Sequence, residues 1–286
     1  MSADPVTAFV FAGGGSLGAV QVGMLHELVA NGLQPDFVVG SSAGAINAAY
    51  FAGAPDAAGV NRLGQLWSRI RRRDIMPLSV RGLLAMLTRR QAALISVEGI
   101  HRLLERHLLY GDIGRALLRL HIVATDHQLG SEVVLSAGPV IEAVMASAAI
   151  PGIFPPVRIA GRDLVDGGVA NNTPVSVAVE LGATRIIVLP AGFACALRRP
   201  PVTAVAQVMH ALSLLVARQL VRDLEYYAAA AHIIVVPPLC PLDVSPYDYT
   251  ACAGLITRAA LTTRTWLEDG GMQQTSVPMQ LHEHHH

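Results

Sequence analysis

At 286 residues, with 52% hydrophobic and 15% charged residues, the chain can bury the core of one large α/β domain or two small ones and is globular, not disordered. Its 21 basic residues balance 21 acidic ones, so the overall charge gives no reason to expect a nucleic-acid partner. Every basic residue is arginine, and the absence of lysine excludes Schiff-base chemistry and a phosphate-loop lysine.

The first residues, MSADPVTAFVFAGGG, lack the positive n-region and long apolar h-region of a signal peptide. Residues 6–12 are β-branched and aromatic and end in glycines, which predicts a strand. Residues 19–30 then carry apolar side chains at helical spacing and stop at Asn31-Gly32. A second short strand is expected over residues 37–40 and a second helix over 43–52. Residues 62–106 hold ten arginines against Asp74, Glu98 and Glu105, interleaved with Trp67, Ile70, Met76, Leu83, Leu84, Met86 and Leu87. This stretch reads either as surface helices with a solvated arginine face or as a docking surface for an anionic interface. For the second reading, eight arginines from Arg62 to Arg90 face a single acid, Asp74, with Trp67 available to enter a membrane surface.

Further strands are expected at residues 120–125, 132–135, 185–189 and 233–236, and helices at 139–147, 174–181 and 203–231. Strands alternating with helices argue for an α/β fold with a mainly parallel central sheet covered on both faces. No internal repeat or low-complexity linker marks a domain boundary. The longest lipid-like stretch, residues 202–217, is interrupted by Thr203, Gln207, His210 and Ser213 and is shorter than the roughly 20 residues a membrane span needs. Cys195, Cys240 and Cys252 are widely spaced, so neither a zinc site nor a disulfide scaffold is indicated. A soluble, cytoplasmic protein is expected. Residues 282–286 resemble the remnant of an expression tag and carry no site argument.

Two glycine-rich turns follow the first two strands. Gly13-Gly14-Gly15-Ser16-Leu17-Gly18 fits the dinucleotide fingerprint G-x-G-x-x-G, but the acidic residue expected at the end of the second strand is replaced by Gly40-Ser41-Ser42. Asp36 lies at the other end of that strand. A loop of exposed N–H groups at a helix N-terminus also suits a short-lived oxyanion. Gly40-Ser41-Ser42-Ala43-Gly44 satisfies G-x-S-x-G in one register only, which makes Ser42 the candidate nucleophile. Both loops fall at the carboxyl ends of neighbouring strands, where open α/β sheets bind ligands.

A serine needs a base. His26, His101, His107, His121, His210 and His232 fall in predicted helices or strand starts, where packing or surface roles are the ordinary reading, and His127 after Asp126 is the hardest to set aside. The other candidate is Asp166, which precedes Gly167-Gly168 in GRDLVDGGVANNTPV and by itself reads as a plain Asp-Gly turn.

Together these segments resemble the patatin-like phospholipase family. Its pattern is a G-G-G-x-x-G loop, a G-x-S-x-G elbow and a D-G-[AG] motif, present here in order at residues 13–18, 40–44 and 166–168. The stretches ASAAIPGIFPPV, VATDHQLG and LITRAALTTRTWLE are similar to further blocks of the family, so the resemblance covers residues 6–268 of an expected single catalytic domain, 1–281. The resemblance implies a three-layer α/β/α sandwich and a Ser-Asp dyad of Ser42 and Asp166 acting on lipid or ester substrates. Its oxyanion hole would come from Gly13, Gly14, Gly15 and Ala43, with Gly18, Gly40, Gly44, Gly167 and Gly168 shaping the turns. It implies neither a metal nor another cofactor. Many members carry a basic residue where this chain has Leu17, which favours a general ester or lipid acyl hydrolase over a strong phosphate contact at that loop. A thioesterase or acyltransferase using the same dyad is the alternative, and a dinucleotide-binding protein using residues 13–18 is a more distant one.

Overall fold

A computed structural model describes residues 5–75, 98–192, 204–242 and 244–273. One eight-stranded sheet runs through them: β1 (Thr7–Phe11), β2 (Phe37–Ser41), β3 (Arg119–Asp126), β4 (Glu132–Leu135), β5 (Val157–Ile159), β6 (Arg162–Asp166), β7 (Arg185–Leu189) and β8 (His232–Val235). The spatial order is β5-β6-β3-β2-β1-β7-β8, with β4 on β3. Five strands, β8, β7, β1, β2 and β3, are mutually parallel, while β4, β5 and β6 join by antiparallel pairs. The sheet is mainly parallel, as the alternation of strand and helix patterns leads one to expect.

Side-chain alternation with period two splits the core into two layers. Phe9, Phe11, Val38, Leu120, Ile122, Ile187 and Leu189 point to one face. There they meet α1 (Gly18–Ala30), α2 (Ala43–Gly53), α3 (Ala57–Arg69), α5 (Glu98–His107), α6 (Val140–Ser147) and α9 (Cys252–Glu268); α4 (Arg72–Ile75) is a single turn after α3. Ala8, Val10, Phe37, Val39, Val123, Ile186 and Val188 point to the other face, under α7 (Val175–Glu180) and α8 (Ala204–Tyr227). The result is an α/β/α layering around the sheet. Local signals set the ends: Asp56 caps α3 by accepting from the Gly59 N–H at 2.6 Å, and Asp36 ties the lower end of β2 to β1 by accepting from the Thr7 N–H at 2.7 Å.

One feature of the ladder positions the site. Strand β2 pairs with residues 119–123 of β3 and β4 with residues 122–125, so these two lie on opposite edges of β3. Strand β6 pairs with residues 124–126, overlapping β4 and therefore sharing the edge that β2 has just left. Running in opposite directions along one edge, β2 and β6 end against each other.

The arginine-rich stretch is described only in part. Arg62, Arg69, Arg71 and Arg72 are exposed, whereas Trp67 and Ile70 are buried. The expectation that Trp67 is available to a membrane surface is therefore corrected: its indole lies inside the core, with its N–H bonded to Asn47. Residues 76–97, including Met76, Leu83, Leu84, Met86 and Leu87, lie outside the described residues.

Candidate active site

Ser42 sits at the junction of β2 and α2 with φ 54° and ψ −122°, a left-handed conformation that a non-glycine residue adopts only when its surroundings impose it. Its neighbours permit the turn. A Cβ on Gly40 would lie 2.5 Å from the carbonyl oxygen of Gly44, and one on Gly44 would strike the carbonyl oxygen of Phe11, so both positions require glycine. The Ser42 N–H donates to Ser147 Oγ at 2.8 Å, and Ser147 in turn donates to the carbonyl of Val123, anchoring the strained turn to β3 through α6.

Asp166 ends β6 and reaches Ser42 across the head-to-head junction: Ser42 Oγ donates to Asp166 Oδ2 at 2.7 Å. The second carboxyl oxygen, Oδ1, accepts from the Gly168 N–H at 2.8 Å, and the backbone carbonyl of Asp166 accepts from Thr125 Oγ1 at 2.8 Å. Burial dominates its electrostatics and pushes the carboxyl up to about 6, against the two hydrogen bonds that favour the charged form. Tyr247 lies within reach of that charge: its phenol is raised first by burial and then by Asp166.

The glycine loop closes the third side. A Cβ on Gly13 would lie 3.1 Å from Ser42 Cβ and 2.4 Å from Asn172 Oδ1, which shows how closely this backbone approaches the serine. The N–H of Gly13 donates to the carbonyl of Asn172 at 2.9 Å, so Gly13 is corrected from an oxyanion donor to a close-packing position. Among the described residues the N–H groups of Gly14, Gly15 and Ala43 have no hydrogen-bond partner. Gly15 adopts φ +59°, and the next N–H, that of Ser16, donates to the carbonyl of Pro246 at 2.8 Å. That bond engages a donor a pyrophosphate would need, which weighs against the dinucleotide reading of residues 13–18.

No histidine among the described residues bonds to Ser42 or Asp166. His127 is exposed and His26 pairs with Glu27 at 3.1 Å. His121 bonds Ser136 at 2.7 Å, and burial lowers its pKa. Also among the described residues, no group of three or more His, Cys, Asp or Glu is arranged to hold a metal ion. Sequence reasoning missed Ser147 and Thr125; both lie within segments that carry the family resemblance, yet nothing in their letters marks them apart from other small polar residues.

The family model described as patatin-like phospholipase matches residues 9–179. An uncharacterized NTE family protein of Mycobacterium tuberculosis is 33% identical over 180 residues, covering 59% of this chain and 27% of that protein. Patatin-like phospholipase domain-containing protein 7 of Rattus norvegicus is 29% identical over 187 residues, covering 65% of this chain and 13% of that protein. The chain thus spans about a quarter or less of the length of these relatives. Among solved structures, human GIVD cytosolic phospholipase A2 in complex with methyl gamma-linolenyl fluorophosphonate and terbium chloride superposes with a TM-score of 0.50 at 12% identity, covering 95% of this chain and 59% of that one. At that identity the likeness concerns the fold.

Proposed function

Because the chain belongs to the patatin-like phospholipase family, we propose that it is a serine hydrolase cleaving carboxylic ester bonds of lipids through Ser42 and Asp166. The observation that carries the reading is the 2.7 Å hydrogen bond from Ser42 Oγ to a buried aspartate. In the forward direction Ser42 Oγ attacks the acyl carbonyl and its proton passes to Asp166 Oδ2. The carbonyl oxygen becomes an oxyanion held by the N–H groups of Gly14, Gly15 and Ala43, with the N-terminus of α2 adding its dipole. Collapse expels the alcohol, which takes up the proton from Asp166. Water then attacks the acyl-enzyme, again giving its proton to Asp166, and the acid leaves as Ser42 recovers its hydroxyl hydrogen.

An ordinary aspartate near 3.8 would be a weak base here, and burial that raises it to about 6 improves the match while leaving it ionised at neutral pH. Labelling by a fluorophosphonate probe tests the reading: wild type should be labelled and Ser42→Ala should not. Undiminished labelling of a folded Ser42→Ala variant would overturn it.

A lipid substrate also gives Arg62, Arg69, Arg71 and Arg72, exposed arginines of the Arg62–Arg90 stretch among the described residues, a use as a peripheral contact for an anionic membrane surface. Binding to vesicles containing anionic lipid should then weaken with added salt. Equal partitioning onto neutral and anionic vesicles at low ionic strength would remove this part of the proposal.

A further inference from the structure

Under the glycine loop runs a chain of buried side chains that the dyad does not use. Trp67 of α3, Asn47 of α2 and Gln21 of α1 are 2%, 0% and 0% exposed. Trp67 Nε1 donates to Asn47 Oδ1 at 2.7 Å; Asn47 Nδ2 donates to the carbonyl of Gly18 at 2.9 Å and to Gln21 Oε1 at 2.7 Å. Gln21 Nε2 donates to the carbonyls of Ala12 at 2.7 Å and Leu189 at 2.9 Å. The ends of the chain have only one role each, since an indole N–H can only donate and a carbonyl can only accept, so the orientation of both amides is fixed by their partners. Every polar atom of the three side chains is used. The surrounding cluster is apolar, and a packing role alone would be met by Leu or Met.

What the chain grips is informative. Ala12 immediately precedes Gly13, and Gly18 closes the loop, so one network holds both ends of residues 13–17. The indole also packs on the loop directly: a Cβ on Gly18 would lie 2.9 Å from the Trp67 ring and 3.2 Å from Ala43 Cβ. On the opposite side the loop is held by the Ser16 N–H to Pro246 bond. We infer that Gln21, Asn47 and Trp67 are positioning residues that fix the N–H groups of Gly14 and Gly15 for oxyanion binding. The inference rests on the reading of residues 13–18 as an oxyanion loop.

The test uses hydrolysis of a short-chain p-nitrophenyl ester, with Ser42→Ala measured alongside. Gln21→Met keeps the side-chain length and removes both carbonyl grips; Trp67→Phe removes the indole N–H at the far end of the chain. Each should lower kcat about 10- to 100-fold, below the cost of deleting a donor outright, with KM within about two-fold and the acid limb of the pH profile unmoved because neither touches Asp166. Inactivation by the fluorophosphonate should slow in step with kcat. If Gln21→Met fails to fold, the milder Trp67→Phe decides. Folded variants with wild-type kcat, or a loss confined to KM, would overturn the inference while Ser42→Ala remains inactive. Activity retained in Ser42→Ala would instead overturn the reading beneath it.

Discussion

Ser41 and Asp166 lie opposite consecutive residues of one strand, Val123 and Ala124, on the same edge of β3. The residue after Ser41 is Ser42, and Asp166 is the last residue of β6, so the two meet because two strands stop head to head. Their contact is set by backbone register, not by a search among side-chain conformers. A slip of one residue in either pairing would turn Asp166 or the Ser42 elbow to the wrong face and destroy the contact.

The dyad makes a mutational prediction. Nucleophile and base act as a unit, so Ser42→Ala and Asp166→Asn should each lower turnover of an aryl ester by a similar factor, on the order of 10³ or more, with the fold retained. His127→Ala and His210→Ala should keep most of the activity. Steady-state kinetics on folded protein checks this, and a histidine variant as impaired as Asp166→Asn would mean a triad.

The raised carboxyl of Asp166 links activity and stability to pH in opposite senses. As base it must be ionised, so kcat/KM should rise with pH through about 6. The folded state binds this proton more tightly than the unfolded chain, whose carboxyl has the ordinary value of 3.8, so its contribution to stability falls as pH rises from about 4 to about 6 and stays low above that. Asp166→Asn removes the buried charge while keeping the shape. It should stabilise the folded state at pH 8 by up to about 3 kcal/mol, read as a higher Tm, and the gain should shrink toward pH 4. Thermal melts at the two pH values decide it; a gain that does not depend on pH would contradict the assignment.

Glycines in the loop should differ in whether their damage can be repaired. Gly15 has φ +59°, and its Cβ would lie 2.5 Å from the Pro246 carbonyl oxygen, so Gly15→Ala is both strained and blocked by backbone. Gly14, at φ 167°, lies outside the left-handed region, and its Cβ would clash with the methyl of Ala191 at 2.4 Å, while the next atoms, Ala191 Cα and Leu17 Cβ, stand at an ordinary 3.7 Å. Gly14→Ala should therefore harm activity by displacing the loop against Ala191, without crowding the substrate. The double variant Gly14→Ala/Ala191→Gly should recover most of the kcat, whereas no single side-chain change should rescue Gly15→Ala. Kinetics of the three variants measure this directly, and failure of the double variant would place the Gly14 methyl in the substrate's space instead.

Much of this architecture is written in local pattern. The strand cores, the glycine spacing and the single G-x-S-x-G register placed Ser42 correctly at a strand-to-helix turn, because such turns need glycine for reasons confined to a few residues. Asp166 was legible only through the family resemblance, since it lies 124 positions from Ser42 and alone reads as an Asp-Gly turn. The antiparallel arrival of β6, which brings the two together, leaves no mark in periodicity. Gln21 and Asn47 were missed for a related reason: helical spacing says which face an amide occupies but not that a partner waits there. Trp67 reads as an interface residue because an indole among arginines suits one, whereas its ring is buried in the core and its N–H donates to the side-chain oxygen Oδ1 of Asn47.

Two further serines flank the dyad with opposite expectations. Ser41 Oγ is buried with no hydrogen-bond partner among the described residues, lying 2.6 Å from where a Cβ on Gly167 would stand. Removing an unpaired buried hydroxyl relieves a desolvation cost, so Ser41→Ala should leave activity intact and Tm equal or higher. Ser147 Oγ instead accepts from the Ser42 N–H at 2.8 Å and donates to the Val123 carbonyl. Ser147→Ala would strand both buried groups, at about 1–3 kcal/mol each, and would free the left-handed turn at Ser42 from its anchor on β3. It should lower both Tm and kcat. The pair is measured side by side by thermal melting and ester hydrolysis. A Ser147→Ala variant as neutral as Ser41→Ala would mean that the strained turn is held by its glycines alone.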